Sequence, residues 1–246
     1  MKTLLYCSLL LLALSCKKAP ADIVDPEHDT VLAEYPDWYT LRSPVDKEIV
    51  GVWGDRDKTL LISTGFAIFR SIDKGQHWQQ VLQQSNGMFG IVQYRDTLFT
   101  MTSFINYRAL TSPDKYSVDN GKNWQPYQKR GNLALDYIPS LGYNGFPVNP
   151  ITASTGVSYK INQVFLDGPT ATVGNFETPG FITSDGRRID LPQLHQLQSL
   201  YLDDQQRLYI AGTDAVCGRG HSGESFSFCN SKQGRGVVYI SKHPLP

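Results

Sequence analysis

The hydrophobic positions along this chain fall in short runs rather than in long stretches of helical periodicity. From residue 49 onward, β-branched and aromatic side chains recur in segments that are separated by glycine, asparagine and aspartate. Such runs, with turn-forming residues between them, are typical of an antiparallel β meander. The clearest runs are Ile49–Trp53, Thr59–Ser63, Ala67–Arg70, Phe89–Tyr94 and Thr97–Met101. The pattern therefore predicts an all-β domain.

One octet occurs twice within this meander. Residues 71–78 read Ser-Ile-Asp-Lys-Gly-Gln-His-Trp, and residues 117–124, which begin 46 positions later, read Ser-Val-Asp-Asn-Gly-Lys-Asn-Trp. An interval of this size matches one four-stranded blade of a β-propeller. In each octet the aspartate can accept backbone N–H groups inside a turn, and the glycine can adopt a positive φ. The tryptophan can then begin the next strand.

The two octets resemble the Asp-box, or BNR repeat, of sialidases, sortilin-type propellers and photosystem-assembly-factor propellers. In that superfamily the octet joins the third and fourth strands of a blade, away from the ligand-binding face, and its role is structural. The resemblance implies a β-propeller and assigns a folding role to eight residues, which are Ser71, Asp73, Gly75, Trp78, Ser117, Asp119, Gly121 and Trp124.

Two weaker copies of the strand order follow. The first runs from Val164 to Gly186, with a middle strand at 170–174 and a degraded octet, Ser184-Asp185-Gly186, that lacks its tryptophan. The second runs from Leu200 to Ser241 and is one strand short. The segment Trp38–Leu41 resembles the strand that follows the two octets. We expect this N-terminal strand to complete the last blade, because closing the ring covers sheet edges that would otherwise recruit other chains.

The number of blades depends on residues 132–158. A domain from residue 37 to residue 246 accommodates four or five blades of about 40 to 45 residues each. Within 132–158, Pro139, Gly142, Gly145, Pro147 and Pro150 favour a long irregular insertion over additional strands. We therefore expect a four-bladed propeller, with five blades as the alternative.

The first residues have the pattern of an export signal. An apolar run from Leu4 to Leu14 is too short to cross a bilayer. It leads into Ser15-Cys16, which resembles a bacterial lipoprotein signal, although Ala13 stands where leucine is usual. The resemblance implies a lipid on Cys16 and attachment to a bacterial membrane, on its periplasmic or surface face; a plain secreted protein is the alternative. The predicted organisation is a signal peptide over 1–15, a tether over 16–36 and a propeller over 37–246.

Removal of the signal and lipidation would leave Cys217 and Cys229 as the remaining thiols. In an oxidising compartment such a pair is expected to form a disulfide. The alternative is a zinc site that also uses His221, but two cysteines 12 positions apart lack the close ligand spacing of zinc knuckles. We therefore expect a disulfide and neither a metal nor another cofactor.

Charge weighs against nucleic-acid binding, and local motifs weigh against glycoside hydrolysis. Lys+Arg and Asp+Glu each number 23, so the chain has no basic excess with which to bind nucleic acid. Sialidases use an arginine cluster and an Arg-Ile-Pro type motif, and the nearest fragment here, Leu41-Arg42-Ser43-Pro44, fits a strand end and a turn. No local motif nominates the paired carboxylates of a glycoside hydrolase.

Three segments, 103–116, 136–149 and 214–233, exceed what a minimal blade needs. They combine aromatic residues with amides and arginine, which suits stacking on sugars or holding an extended peptide. The alternative is that these aromatic side chains only pack the loops against the blades. The candidate ligand-binding residues are Tyr107, Arg108, Tyr137, Tyr143, Phe146, Arg219 and His221.

Together these features predict a non-enzymatic lipoprotein of the cell envelope that uses its propeller as a binding module or protein-interaction scaffold. The expected ligand is a carbohydrate or a protein. A glycan-processing enzyme of sialidase-like fold and an assembly factor for an envelope complex are the alternatives. Turnover of glycans would indicate the first alternative, and a specific crosslinked protein partner would indicate the second.

Overall fold

The computed structural model describes residues 35–106, 108–127, 145–218 and 225–245, and within these residues it contains nineteen β-strands and no helix. The strands form four larger antiparallel sheets and one small hairpin. Sheet 1 contains β2 (Gly51–Gly54), β3 (Leu60–Ser63), β4 (Ala67–Ser71) and β5 (Gln79–Gln83) in that order. Sheet 2 contains β6 (Gly90–Tyr94), β7 (Thr97–Ile105) and β8 (Ala109–Ser117), and both β9 (Gln125–Pro126) and β10 (Phe146–Pro147) pair with β8.

The second half of the chain forms the other two sheets. Sheet 3 contains β11 (Ile151–Thr152), β12 (Ser158–Phe165), β13 (Phe176–Thr183) and β14 (Arg188–His195). Sheet 4 contains β15 (Leu197–Leu202), β16 (Leu208–Gly212), β19 (Val237–Ser241) and β1 (Trp38–Arg42). The hairpin of β17 (Val216–Gly218) and β18 (Ser227–Phe228) lies in the connection between β16 and β19. This architecture confirms the predicted all-β propeller fold.

The first strand of the described structure completes the last sheet. β1 pairs antiparallel with β19, with Trp38 opposite Ser241 and Arg42 opposite Val237. The expected N-terminal closing strand is therefore confirmed. Because β1 and β19 come from opposite ends of the chain, their pairing joins the two ends of the ring.

Apolar side chains fill the spaces between neighbouring sheets. One buried cluster joins sheet 1 to sheet 4 and includes Trp78, Tyr209 and Val238. A second joins sheet 3 to sheet 4, where Trp38 meets Phe181 and Tyr239 at right angles. A third lies between sheets 1 and 2, and a fourth packs sheet 2 against the segment at 146–148. The core of the described residues therefore lies mainly in the seams that sheet 4 forms with sheets 1 and 3 and that sheet 1 forms with sheet 2, as in a radial arrangement of blades.

Both octets form the same turn between the third and fourth strands of a sheet. In the first, the Ser71 hydroxyl donates to Asp73 Oδ1 at 2.7 Å and accepts the Gly75 N–H at 2.9 Å. In the second, Ser117 makes the equivalent bonds to Asp119 and Gly121 at 2.8 and 3.0 Å. The serine thereby satisfies backbone and side-chain groups inside a tight reversal of the chain.

Each octet glycine has two reasons to lack a side chain. Gly75 and Gly121 have φ values of 84° and 74°, a region that penalises other residues. Each also packs against the neighbouring sheet. A Cβ on Gly75 would lie 2.7 Å from a methyl of Leu41, and one on Gly121 would overlap a methyl of Leu61. The octets therefore shape the turns and also allow successive sheets to approach.

The structure corrects two details of the sequence prediction and defines the degraded octet. The segment at 170–174, predicted as a strand, lies in the connection between β12 and β13. Most of 103–116, predicted as a loop, is strand, because β7 and β8 extend into a long hairpin. In the degraded octet the serine position is occupied by Thr183, whose hydroxyl donates to Asp185.

The five-blade alternative has no fifth larger sheet within the described residues. Residues 128–144 lie outside that part of the chain. The described remainder of the 132–158 segment joins existing sheets, since β10 pairs with sheet 2 and β11 with sheet 3.

Cys217 and Cys229 form a disulfide with a Cα–Cα distance of 5.0 Å, as predicted. Both thiols are consumed, so the alternative of a zinc site built on them is wrong. No group of three or more histidine, cysteine or acidic side chains suited to a metal occurs in the described ranges. The part of the chain that the structure describes contains no helix able to span a membrane.

Candidate ligand cavity

The two edges of the sheets differ in what they carry. The octet turns follow Ser71, Ser117 and Thr183, and the equivalent position of sheet 4 is Ser241, the last residue of β19. We call this side the octet edge. The opposite side, where the first strand of each sheet begins, is the loop edge. Gly90 at the start of β6 pairs with Met101 of β7, so the long β7–β8 hairpin projects from the loop edge. The β16–β19 connection does so too, because Leu197 pairs with Gly212.

A cavity of about 390 Å³ lies where the first strands of all four sheets meet. Its volume is within the range of small-molecule sites, roughly 300 to 1,000 Å³. It is lined by Val50, Gly51, Val52, Trp53, Gly90, Ile91, Val92, Gln93, Leu110, Phe146, Pro147, Val148, Ile151, Thr152, Ser199, Leu200, Tyr201, Leu202 and Asp204. The cavity therefore lies at the centre of the propeller, where the sheets face one another.

Hydrogen bonds between sheets hold the wall of the cavity. The Ser199 hydroxyl donates to the Val50 carbonyl at 2.9 Å and joins sheet 4 to sheet 1. The Trp53 Nε1–H donates to Gln93 Oε1 at 3.2 Å and joins sheet 1 to sheet 2.

Close backbone contacts complete this wall. The Leu200 N–H donates to the Val148 carbonyl at 2.9 Å. Gly51 allows β2 to approach β6, because a Cβ there would lie 2.8 Å from Gly90 Cα. These contacts fix the relative positions of the strands that form the site, so the cavity is preformed.

The wall presents polar and apolar surface in nearly equal parts. Its aromatic rings come from Trp53, Phe146 and Tyr201, and aliphatic side chains and strand backbone contribute to the rest. Among the described residues of the lining, Asp204 is the one with a formally charged side chain. This combination of rings, an amide, hydroxyls and one carboxylate can bind a small ligand with an apolar body and a polar group.

The environment of Tyr201 keeps its hydroxyl neutral. Burial raises the pKa of Tyr201 to about 12, and the negative charges of Asp203, Asp204 and Asp55 add to the rise against a backbone hydrogen bond from Gly54. Tyr201 is therefore a neutral hydroxyl at physiological pH. Burial accounts for most of this rise in pKa, and the three neighbouring carboxylates contribute the smaller part.

A buried ionic network supports the cavity at its octet edge. Arg207 donates from Nε to Asp203 at 2.7 Å, from one terminal nitrogen to Asp57 at 2.6 Å, and from the other to Asp55 at 2.5 Å. Its side chain is 6% exposed and that of Asp203 is 1% exposed. The network joins the β2–β3 turn of sheet 1 to the β15–β16 turn of sheet 4.

The pKa shifts in this network follow from its bonds. Burial alone would raise the pKa of Asp55, but the Asp57 N–H, the Gln205 amide and Arg207 hold it below its usual value. Burial alone would lower the pKa of Arg207, and its bonds to Asp57 and Asp203 raise it instead. Tyr209 caps the network, because its hydroxyl donates to Asp203 Oδ2 at 3.0 Å and accepts the Arg56 N–H.

One histidine is buried near the loop edge, outside the cavity. His195 Nδ1 is 2.9 Å from the Thr213 carbonyl, and its Nε2 is 2.9 Å from the Tyr239 hydroxyl. The carbonyl can only accept, so Nδ1 carries the proton and Nε2 accepts from Tyr239. Burial lowers the pKa of His195, against its hydrogen bonds with the backbone of Thr213 and Asp214 and the charge of Asp214, and this favours the neutral form. Both ring nitrogens of His195 are therefore hydrogen-bonded within the protein, and the residue is part of the core.

Of the seven ligand-binding residues predicted from the sequence, only Phe146 and Arg108 lie within the described residues. Phe146 lines the cavity. The side chain of Arg108 is exposed and is not part of the lining, although its carbonyl accepts the Val148 and Asn149 N–H groups. Tyr107, Tyr137, Tyr143, Arg219 and His221 lie outside the described residues. None of the eight octet residues lines the cavity.

Other loop aromatics are used for packing. Phe104 meets Phe89 at right angles with a centroid separation of 5.2 Å, and Tyr116 packs on the core of sheet 2. These two side chains fit the alternative that loop aromatics only pack the loops onto the sheets.

Sequence analysis missed most of the cavity. Trp53, Gln93, Tyr201 and Asp204 lie in or beside the first strand of a sheet, where a single sequence shows only alternating strand residues. One available signal was Trp53, the tryptophan that does not occupy the octet or closing-strand position.

No family model matches this sequence, and no curated protein matches it either. Among solved structures, the chain is similar to a protein assigned provisionally as a gluconolactonase. The two are 11% identical, the alignment covers 90% of this chain and 98% of that one, and the TM-score is 0.35. A similarity at this level supports no conclusion about activity or substrate.

Proposed function

We propose that this protein is a non-enzymatic binding module of the bacterial cell envelope, and that its ligand is a small molecule held in the central cavity. The observation that carries the proposal is the cavity itself, which draws its wall from all four sheets. A volume of about 390 Å³ suits a small ligand or a single side chain rather than a folded partner.

The chemistry of the lining supports binding over catalysis. The described residues that form the wall include one carboxylate, that of Asp204, and no histidine, cysteine, lysine or arginine. Acid–base hydrolysis of a glycoside needs two carboxyl groups across the reacting bond. A nucleophilic mechanism needs a nucleophile with a base in hydrogen-bond reach. The hydroxyl of Ser199 donates to a backbone carbonyl and has no such base in the lining.

The proposed location at the envelope rests on the sequence that precedes the propeller. The apolar run before Ser15-Cys16 supports export and lipidation of Cys16. Expression in a bacterium fed a labelled fatty acid should give a labelled, membrane-associated protein. The Cys16→Ser variant should lose the label and move to the soluble fraction. Equal label in both proteins would overturn the anchor.

The cavity is tested by filling it. Thr152 lines the cavity and is exposed, so Thr152→Trp should add bulk there without disturbing the core. Thr170→Trp is the matched control, because Thr170 is an exposed residue outside the lining. Both variants should unfold at temperatures close to that of the wild type.

Saturation-transfer NMR with a panel of small probes then measures binding. The panel contains alkylammonium ions, monosaccharides, neutral alcohols and carboxylates. We expect at least one probe to bind the wild type and Thr170→Trp but not Thr152→Trp. If Thr152→Trp binds every probe as the wild type does, or if a bound probe is turned over, the proposal fails.

A further inference from the structure

The charge in the cavity has one sign. Among the described residues of the lining, Asp204 is the only one with a formal charge, and no lysine, arginine or histidine of the described ranges lines the cavity beside it. An anionic ligand would therefore enter the cavity without a counter-charge. A cationic group would find a carboxylate at the octet-edge end of the wall.

Asp204 differs from the acidic residues beside it. Asp55, Asp57 and Asp203 all bind Arg207. Asp204 follows Asp203 directly, yet it makes no hydrogen bond or ion pair with any residue in the described ranges. Its carboxylate is exposed. It can therefore exchange water for a ligand without breaking a contact inside the protein.

Aromatic rings reach the cavity from two further sheets. Trp53 belongs to sheet 1 and Phe146 to sheet 2, and both line the wall. The face of an aromatic ring attracts a cation, tryptophan most strongly, by about 0.5 to 2 kcal/mol in proteins. The Trp53 N–H is already bound to Gln93. The indole therefore offers its face and edge rather than its donor to a ligand.

Two further acidic residues, Asp203 and Asp55, lie close enough to Tyr201 to act on it together with Asp204. Burial is the main cause of the raised pKa of Tyr201, but the charges of Asp203, Asp204 and Asp55 raise it further. These charges therefore disfavour a negative charge at the tyrosine oxygen, even with Arg207 in the same network.

From the carboxylate of Asp204, the aromatic rings of the wall and the absence of basic side chains among the described lining residues, we propose that the cavity binds an organic cation, an ammonium group carried on an apolar body. This inference rests on the proposed function, because it specifies the ligand of the same site. Asp204 would face the ammonium group, and Trp53 and Phe146 would contact its alkyl substituents.

The experiment compares probes that differ in charge but hardly in shape. Choline carries a trimethylammonium group, and 3,3-dimethylbutan-1-ol is its neutral carbon isostere. The 3,3-dimethylbutyrate ion supplies the same apolar group with a negative charge. Affinities are measured by saturation-transfer NMR titration of the full mature domain. We expect choline to bind at least about fivefold more tightly than the alcohol and butyrate to bind least, as one partly solvated ion pair allows.

Two variants separate charge from shape. Asp204→Asn removes the charge at an exposed site without a partner, so the fold should not change. Asp190→Asn is the matched control, since Asp190 is exposed on β14 outside the lining. We expect Asp204→Asn to weaken choline about fivefold and to leave the alcohol unchanged. Asp190→Asn should alter neither affinity.

The outcomes distinguish the two proposals. If the alcohol, a monosaccharide or the carboxylate binds as well as choline, or if Asp204→Asn has no effect, the cation inference fails. The cavity stands in that case, provided that Thr152→Trp abolishes the binding. If Thr152→Trp leaves all binding intact, the proposed function fails together with the inference.

Discussion

Replacing Arg207 by methionine should destabilise the propeller strongly, because it leaves buried carboxylates without their counter-ion. Arg207 and Asp203 are almost fully buried, Asp55 is 10% exposed, and Asp57 is 39% exposed. Methionine retains most of the aliphatic volume of arginine but none of its charge. The variant therefore removes three charge-assisted bonds while changing the packing little.

The expected magnitude follows from burial. Removing one partner of a buried ion pair costs about 3 to 5 kcal/mol of unfolding free energy, chiefly because the remaining charge is uncompensated. Asp203 and Asp55 account for most of this cost, and Asp57, being partly solvated, for little. Since domains are stable by roughly 5 to 15 kcal/mol, Arg207→Met should be folded but marginal at neutral pH.

The effect should also depend on pH. In the wild type the pKa of Asp55 is lowered in the folded state, so its contribution to stability is present above its unfolded pKa and is lost as the pH falls through the folded value. In Arg207→Met the Asp55 pKa should rise, since the positive charge is gone. Protonation then relieves the buried charge, and the stability difference between the two proteins should shrink between pH 7 and pH 4.

Urea denaturation followed by tryptophan fluorescence at several pH values measures this difference. Arg187→Met is the control, because Arg187 forms an exposed ion pair with Asp185, and it should change the midpoint little. A loss of stability in Arg207→Met that matches the control at pH 7, or that does not vary with pH, would refute the reasoning.

Three further substitutions test other parts of the structure. Gly121→Ala should lower the free energy of unfolding by about 2 kcal/mol or more, through its positive φ and the overlap with Leu61, whereas alanine at Gly65, where a Cβ would meet no atom within 4 Å, should have little effect in the same denaturation assay. Replacing Cys217 and Cys229 together by serine should cost about 3 kcal/mol, and the wild type in reducing agent should show the same loss; no change in either would contradict a stabilising disulfide. The pKa of His195 is lowered in the folded state, so the free energy of unfolding should decrease as the pH falls below about 6.5, where the histidine of the unfolded chain takes up a proton first. His195→Gln should therefore flatten the dependence of stability on pH between pH 7 and pH 5. An unchanged slope would contradict the buried neutral histidine.

The parts of the fold that local chemistry specifies were predictable. The octets contain their own turn chemistry, so Ser71, Asp73 and Gly75 indicate a reversal of the chain whatever surrounds them. Trp38 could be assigned to the closing strand because it repeats the position of Trp78. The pairing of Cys217 with Cys229 followed from their number and the expected compartment.

The cavity was not predictable in the same way. Its wall combines residues as distant in sequence as Val50 and Ser199, and these meet only because four sheets close into a ring. The alternation of side chains along a strand does not tell which of its two faces lines the central cavity of the propeller. The ion network was equally hidden, since Asp55 and Arg207 are ordinary turn residues until two turns meet. The extra residues of 103–116 looked like a loop, because a long hairpin and a loop have similar composition.

The register of the closing strand determines the edge at which the N-terminal segment joins the propeller. Trp38 lies opposite Ser241, so the chain enters β1 from the octet edge, and Tyr35 already packs there on Tyr239. Under the proposed lipidation of Cys16, which precedes Tyr35 by 19 positions, the connection to the membrane would join the propeller at the octet edge, on the side opposite the long hairpin of β7 and β8.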